Sequence, residues 1–307
     1  MIVLDRLTKH YGATTAVDQL SLTVPEGSIC ALVGASGCGK STTLRLINRL
    51  IEPDGGRVLI EGTDVASLPP VALRRRIGYV IQSIGLFPHW NIARNIATVP
   101  ELLGWPGERI ARRVDELLDL VGLDPDSYRK RRPHELSGGQ QQRVGVARAL
   151  AADPDLLLMD EPFGALDPVT RDGLQAALID IQARTGKTII IVTHDIDEAI
   201  RLSSLIAVLE NGRLIQQGSP REILTRPANG FVESFVGGPR LGLRLLQVTT
   251  VDERTDYGAT AEGEPIAAEA PLDAALAQMV ARGTDRLAVI DAAGRRGALA
   301  LANVVTP

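Results

Sequence analysis

The octapeptide GASGCGKS at residues 34–41 carries the densest chemistry in the chain. It fits G-x-x-x-x-G-K-[ST] and directly follows the apolar run SICALVG (28–34), as a phosphate loop requires. Glycines let successive backbone N–H groups converge on phosphate oxygens, and the following helix adds its positive end. The candidate nucleotide loop therefore comprises Gly34, Ala35, Ser36, Gly37, Cys38, Gly39, Lys40, Ser41 and Thr42. Lys40 brings a point charge to the β- and γ-phosphates, and Ser41 a hydroxyl ligand for Mg²⁺. Cys38 reads as a small residue that fits the loop.

Acids and a histidine follow at the ends of later apolar runs. Asp160 closes DLLLMD (155–160), where a carboxylate holds Mg²⁺ through water. Glu161, one residue on, is placed to polarise the water that attacks the γ-phosphate. His194 closes KTIIIVTH (187–194); at the same sheet edge, a catalytic role outweighs a structural one. Gln82 follows RIGYVI and reaches Mg²⁺ or water by the same geometry.

A second anion-binding pattern stands at LSGGQQQRVGVARAL (136–150). Ser137 reads as a helix N-cap, Gly138 and Gly139 expose backbone N–H groups, and Gln140 ends the motif. No lysine accompanies it, so it does not hold a nucleotide alone. It completes a site built mainly by another copy. Two chains head to tail would sandwich two ATP molecules, each phosphate loop facing the other chain's Ser137–Gln140 turn.

Such residues need a frame that delivers them to one edge. Strand and helix patterns alternate, which predicts an α/β fold with a parallel sheet covered on both faces. The three unbroken apolar runs are its buried strands, with function at their C-terminal ends. The first thirty residues and GGRVLIEG (55–62) alternate more and predict a smaller antiparallel sheet. Residues 88–150 read as mostly helical. GGPRLG (237–242) marks a boundary, giving domains 1–238 and 239–307. Beyond it, residues 252–273 hold seven acids and one arginine, and 271–301 reads as helix, strand, turn, strand, in a single copy.

Composition narrows the function classes. The 307 residues are 45% hydrophobic, enough for a substantial core. A net charge of −4 gives no reason to expect nucleic-acid binding. No apolar run approaches the ~20 residues of a membrane span, and MIVLDRLTKHYG lacks signal-peptide character. Cys30 and Cys38 make no disulfide framework. The expectation is a soluble cytosolic protein.

GASGCGKS, Gln82, LSGGQ, LLLMDEP, ALD (165–167) and His194 stand in the order and spacing of a known family. Over residues 1 to about 238 the chain resembles the ATP-binding subunits of ABC transporters. The resemblance implies a P-loop NTPase cassette with a parallel core sheet, an antiparallel β subdomain and a helical subdomain. It implies that Glu161 is the general base, His194 the γ-phosphate contact and Asp167 a cross-dimer contact. Tyr11 matches the aromatic that stacks on adenine; alone, it would be read as core. ATP and Mg²⁺ are the implied cofactors, and the working state is the homodimeric sandwich.

The stretch IGYVIQSIGLFPHWNIARNIATVPELLGW (77–105), with YRKRRPHELSGGQ, is similar to quaternary-amine importers for glycine betaine, choline, carnitine or proline betaine. In that family the segment after Gln82 receives a cytoplasmic helix of the permease. Phe87, Pro88, His89 and Trp90 form the candidate contact, with local packing of the helical subdomain as the alternative. The basic run Arg129–Arg132 reads as a solvated face, with a lipid contact the weaker alternative. The implied partners are membrane permease subunits and, through them, an extracytoplasmic solute-binding protein; the implied place is the cytoplasmic face of the inner membrane. Other readings are an importer for an amino acid, polyamine or sulfonate, and a non-transport ABC ATPase. Residues 246–304 resemble one CBS motif, a regulatory module, with a dimerisation or filler domain as the alternative.

Overall fold

A computed structural model describes residues 1–81, 85–164 and 166–305. It divides into two compact units, Met1–Gln217 and the residues from Gly218 onward.

The first unit opens with β1 (Ile2–Tyr11) and β2 (Thr14–Val24), an antiparallel pair. Then come β3 (Ile29–Val33), α1 (Lys40–Ile47), β4 (Gly55–Ile60), β5 (Thr63–Asp64), α2 (Pro70–Arg75) and β6 (Ile77–Val80). A helical stretch comes next: α3 (Ile92–Leu102), α4 (Gly107–Leu120), α5 (Pro125–Tyr128) and α6 (Gly138–Leu150). The unit closes with β7 (Leu156–Asp160), α7 (Pro168–Thr185), β8 (Thr188–Val192), α8 (Ile196–Leu202), β9 (Leu205–Glu210) and β10 (Arg213–Gly218).

Two sheets result. The antiparallel one has the order β2-β1-β4-β5, in the segments whose alternation predicted it. The other has the order β10-β9-β3-β8-β7-β6, with β9, β3, β8, β7 and β6 parallel. Every residue of β3, β7 and β8 is buried, which explains why these strands are continuous Val/Ile/Leu runs rather than alternating ones. Leu7, Leu20 and Val58 of the antiparallel sheet share one buried core with Leu32 and Ile190 of the parallel sheet. Cys30 and Cys38 are both free and buried.

The parallel register sets the site. Leu32 and Asp160 both pair with Val192, so β3, β8 and β7 end in line. The phosphate loop after β3, His194 after β8 and Glu161 after β7 therefore emerge on one edge.

The second unit contains α9 (Pro220–Thr225), α10 (Gly230–Val236), α11 (Leu241–Val248), β11 (Ile266–Ala267), α12 (Leu272–Arg282), β12 (Arg286–Ile290), β13 (Arg296–Ala300) and α13 (Leu301–Val305). The helix, strand, turn, strand reading of 271–301 matches α12, β12 and β13. The unit division falls after Gln217, whereas the sequence reading sets a domain boundary at 238. Its reason is packing: α9 rests against α11, and α11 against α12. Arg221 on α9 also donates two hydrogen bonds to Glu253, at 2.7 and 2.6 Å. GGPRLG is a turn inside this unit, not a break between units.

That ion pair makes a testable prediction. Arg221, chiefly by hydrogen bonding, pulls the Glu253 carboxyl down from 4.5 to about 2. The folded-state value is depressed, so the pair stabilises fully above pH 4.5 and its contribution is lost as pH falls toward 2. Arg221 is half exposed, so solvent screening holds the contribution to about 1 kcal/mol. Arg221→Ala should lower the stability of the intact chain at neutral pH, by chemical denaturation, and the gap to wild type should narrow at about pH 3.5. An equal gap at both pH values would assign the loss to something other than this pair.

Candidate active site

The phosphate loop owes its shape to glycines that nothing larger replaces. Gly34 has φ 147°, and a Cβ there would lie 2.1 Å from the Leu209 carbonyl oxygen. Gly39 has φ 102°, and a Cβ there would meet the Ala16 carbonyl oxygen at 2.3 Å. Both are left-handed conformations in close approach to backbone. Gly37, by contrast, faces open space. No side chain caps α1 at Gly39, so its first N–H groups stay available to an anion. Ala35, Ser36 and Gly37 are exposed, while Lys40 is buried and Ser41 and Thr42 are half-buried. Lys40 Nζ donates to the carbonyls of Gly34 at 2.8 Å and Ala35 at 2.9 Å, which holds its charge over the loop. Cys38 packs beside it, with Sγ 3.7 Å from Nζ.

The strand-end groups come to the same edge. Ser41 Oγ donates to Asp160 Oδ1 at 2.8 Å. This hydroxyl and carboxylate are oxygen donors of the kind that a hard divalent cation takes, so the pair fits Mg²⁺. Among the described residues no cluster of three or more His, Cys, Asp or Glu offers an all-protein cage. Glu161 donates its N–H to the Val192 carbonyl at 3.0 Å, extending the sheet by one bond, and then turns with φ 44°. Left-handed backbone costs a non-glycine residue about 1 kcal/mol or more, and such strain gathers at functional sites. The turn sets Glu161 Oε1 3.5 Å from His194 Nδ1. Gly164 adjoins the other carboxylate oxygen: a Cβ there would lie 3.7 Å from Oε2. Gln82 lies outside the described residues.

Ser137 is the N-cap of α6, with Oγ accepting from the Gln140 N–H at 3.3 Å. Gln140 Oε1 accepts from the Ser137 N–H at 3.0 Å, closing a capping box. Gln140 Nε2 donates to the Tyr128 hydroxyl at 2.9 Å. Ser137 and Gly138 face solvent. Gly139 is buried because α7 presses on it: a Cβ there would sit 2.0 Å from Thr170 Cγ2. Thr170, which no sequence motif marks, thus brings the two helix starts together. Asp167 caps α7, accepting from the Thr170 N–H at 3.1 Å, and the Thr170 hydrogen bonds pull its carboxyl below the usual range. Tyr11 is 49% exposed, so it is not core, and Lys9 Nζ lies 5.8 Å from its ring.

Phe87, His89 and Trp90 form an aromatic cluster, with the Phe87 and Trp90 centroids 4.5 Å apart. Phe87, Pro88 and His89 are exposed and Trp90 half-buried, which leaves the cluster on the surface rather than packed within the helices. Its support is Asn95, fully buried on α3. Asn95 Oδ1 accepts from the Phe87 N–H at 2.7 Å, and Nδ2 donates to the carbonyls of Phe87, Trp90 and Asn91. A polar residue on the apolar stripe of NIARNIATV was the available signal. Arg148 on α6 adds a second anchor, donating to the Gly85 carbonyl at 2.7 Å.

The chain is similar to known proteins in sequence and in fold. Residues 17–164 match the family model described as "ABC transporter". The Escherichia coli K12 glycine betaine uptake system ATP-binding protein YehX is 53% identical over 295 residues, covering 96% of both chains.

The chain belongs to the ABC transporter ATP-binding family.

It is thus an ATP-binding ABC ATPase. The Bacillus subtilis 168 glycine betaine/carnitine/choline transport ATP-binding protein OpuCA is 49% identical, over 95% of this chain and 76% of its own. Among solved structures, the ABC cassette MJ0796, a dimer in a post-hydrolysis state bound to ADP and Pi, is 33% identical. It superposes with a TM-score of 0.64 over 71% of this chain and 98% of its own. Clostridium perfringens cbiO1, part of the transporter complex cbiONQ, gives 0.68 at 30% identity, over 74% and 91%. Among the described residues no helix is long and apolar enough to cross a membrane.

Proposed function

We propose that this ABC ATPase drives import of a quaternary-amine osmoprotectant such as glycine betaine, choline, carnitine or proline betaine. The observation that carries the substrate class is the near-full-length similarity to YehX, named for glycine betaine uptake. The chemistry rests on the strand-edge geometry.

Lys40 and the N–H groups of residues 34–42 hold the ATP phosphates, and Tyr11 stacks on adenine. Ser41 and Asp160, with Gln82, hold Mg²⁺. When bound, the ion neutralises phosphate charge and polarises the oxygens it touches. Glu161 takes the proton of the attacking water. His194, 3.5 Å from Glu161, contacts the γ-phosphate and fixes the carboxylate's orientation. The Ser137–Gln140 turn and Asp167 of a second copy close the site, so the homodimer sandwiches two ATP molecules. Exposure of Ser137 and Gly138 supports that reading.

Phe87, Pro88, His89 and Trp90 dock a permease helix, and an extracytoplasmic solute-binding protein acts through that permease. The chain works at the cytoplasmic face of the inner membrane. The CBS-like segment inside the second unit serves regulation.

Uptake of labelled glycine betaine tests the function in cells that carry the wild-type or the Lys40→Ala chain. Removing the cation nearest the phosphates should cut uptake more than ten-fold, since charge-assisted bonds to phosphate are the strong ones. Excess unlabelled choline or carnitine should compete. Lys40-dependent uptake of another solute, with no competition among quaternary amines, would reassign the substrate class.

A further inference from the structure

A buried polar link joins the His194 turn to the Asp167 turn within one chain. Thr193, which precedes His194, is 2% exposed, and Glu198 on α8 is 8% exposed. Thr193 Oγ1 donates to Glu198 Oε2 at 2.6 Å and accepts from the Asp195 N–H at 3.0 Å. The other oxygen, Glu198 Oε1, faces Arg171 Nε at 3.8 Å. Arg171 lies in the first turn of α7, and its Nη2 donates to the Leu166 carbonyl at 3.2 Å. Leu166 immediately precedes Asp167. A second strap runs alongside: Arg201 on α8 donates to Asp172 at 2.6 Å and to Gln175 at 3.2 Å, both on α7.

A buried carboxylate is costly, and desolvation pushes the Glu198 carboxyl upward against the opposing pull of Thr193 and Arg171. An apolar residue would pack here without that cost. What the acid provides is direction. It binds one specific hydroxyl and faces one specific guanidinium, and each belongs to a turn that ends at a different ATP site.

We infer that Glu198, with Thr193 and Arg171, is a positioning group that couples the His194 turn to the Asp167 turn, and so one ATP site of the sandwich to the other. The inference rests on the dimer reading above. His194 meets the γ-phosphate of its own site, while Asp167 meets the partner copy. A shift of His194 on hydrolysis is passed through Thr193, Glu198 and Arg171 to Leu166 and Asp167. The physical warrant is a chain of directed hydrogen bonds and one ion pair, not proximity alone.

The test is steady-state ATPase of the purified full chain. Wild type should hydrolyse with a Hill coefficient above 1. Glu198→Gln keeps the shape and loses the charge that faces Arg171. It should lower kcat about ten-fold and bring the Hill coefficient to about 1, with ATP affinity changed less than about two-fold. Arg171→Met should do the same, and the double variant should be no worse than either single one. Thr193→Ser should retain cooperativity and Thr193→Val should lose it; this pair keeps the test valid if Glu198→Gln does not fold. A cooperative wild type with Glu198→Gln and Thr193→Val equally cooperative would overturn the link and leave the sandwich intact. A wild-type Hill coefficient of 1 would overturn it too, and absent hydrolysis would overturn the ATPase reading itself.

Discussion

Glu161→Gln should bind ATP as wild type does and hydrolyse it roughly 10²–10⁴-fold more slowly, the range in which a positioned general base acts. The carboxamide has the carboxylate's shape but takes no proton. The backbone already commits this residue to its place: the N–H is tied to Val192 and φ is 44°. The substitution therefore changes chemistry more than geometry. His194 Nδ1, 3.5 Å from Oε1, keeps a partner in the glutamine oxygen. With hydrolysis blocked and binding intact, the closed dimer has no exit. Size-exclusion chromatography with ATP should show accumulated dimer, and ADP should not replace ATP in producing it. Hydrolysis at the wild-type rate would remove Glu161 from the mechanism and leave the strained turn without a function.

Ser137→Arg should stop turnover by more than about 10²-fold while the chain still folds and still binds ATP at its phosphate loop. The cap costs about 1 kcal/mol when Ser Oγ is lost, a melting shift of only about 2–4 °C in a unit of this size. The reciprocal half of the capping box, Gln140 Oε1 on the residue 137 N–H, survives the change. Ser137 and Gly138 are exposed, so an arginine there projects outward instead of disturbing the core. In the proposed sandwich it would meet a partner's γ-phosphate and the loop around it. Placed in the Glu161→Gln background, Ser137→Arg should abolish the trapped dimer. Full dimer formation by the double variant would sink the sandwich, because the Ser137 turn would then lie outside the interface.

Much of this site was legible one segment at a time. The phosphate loop, the three strands that deliver it and its partners, and the Ser137 cap all arise from local rules. Close backbone approach requires glycine, a strand buried on both faces requires an unbroken apolar run, and a side-chain-capped helix start favours a short hydroxyl or carboxylate. Each rule acts over a few neighbouring residues, so its trace lies in adjacent letters. Asp160, Glu161 and His194 could be placed at one edge because parallel strands in register end together.

Tertiary structure decided the rest. Asn95 reads as one polar residue in a helix, and only the fold shows it carrying the Phe87–Trp90 turn on three hydrogen bonds. Glu198 looks like a surface acid after a histidine, yet it is buried between Thr193 and Arg171. Gly139 looks like a pair with Gly138, but only Gly139 has Thr170 against it. The unit division after Gln217 has a similar cause, since α9 packs against α11 and its Arg221 pairs with Glu253. For Glu198, Gly139 and α9 a deciding partner, namely Arg171, Thr170 and Glu253, is distant in sequence. Local conformational preference can place a side chain on a turn or a face, but its burial and hydrogen bonds depend on which distant segment packs against it.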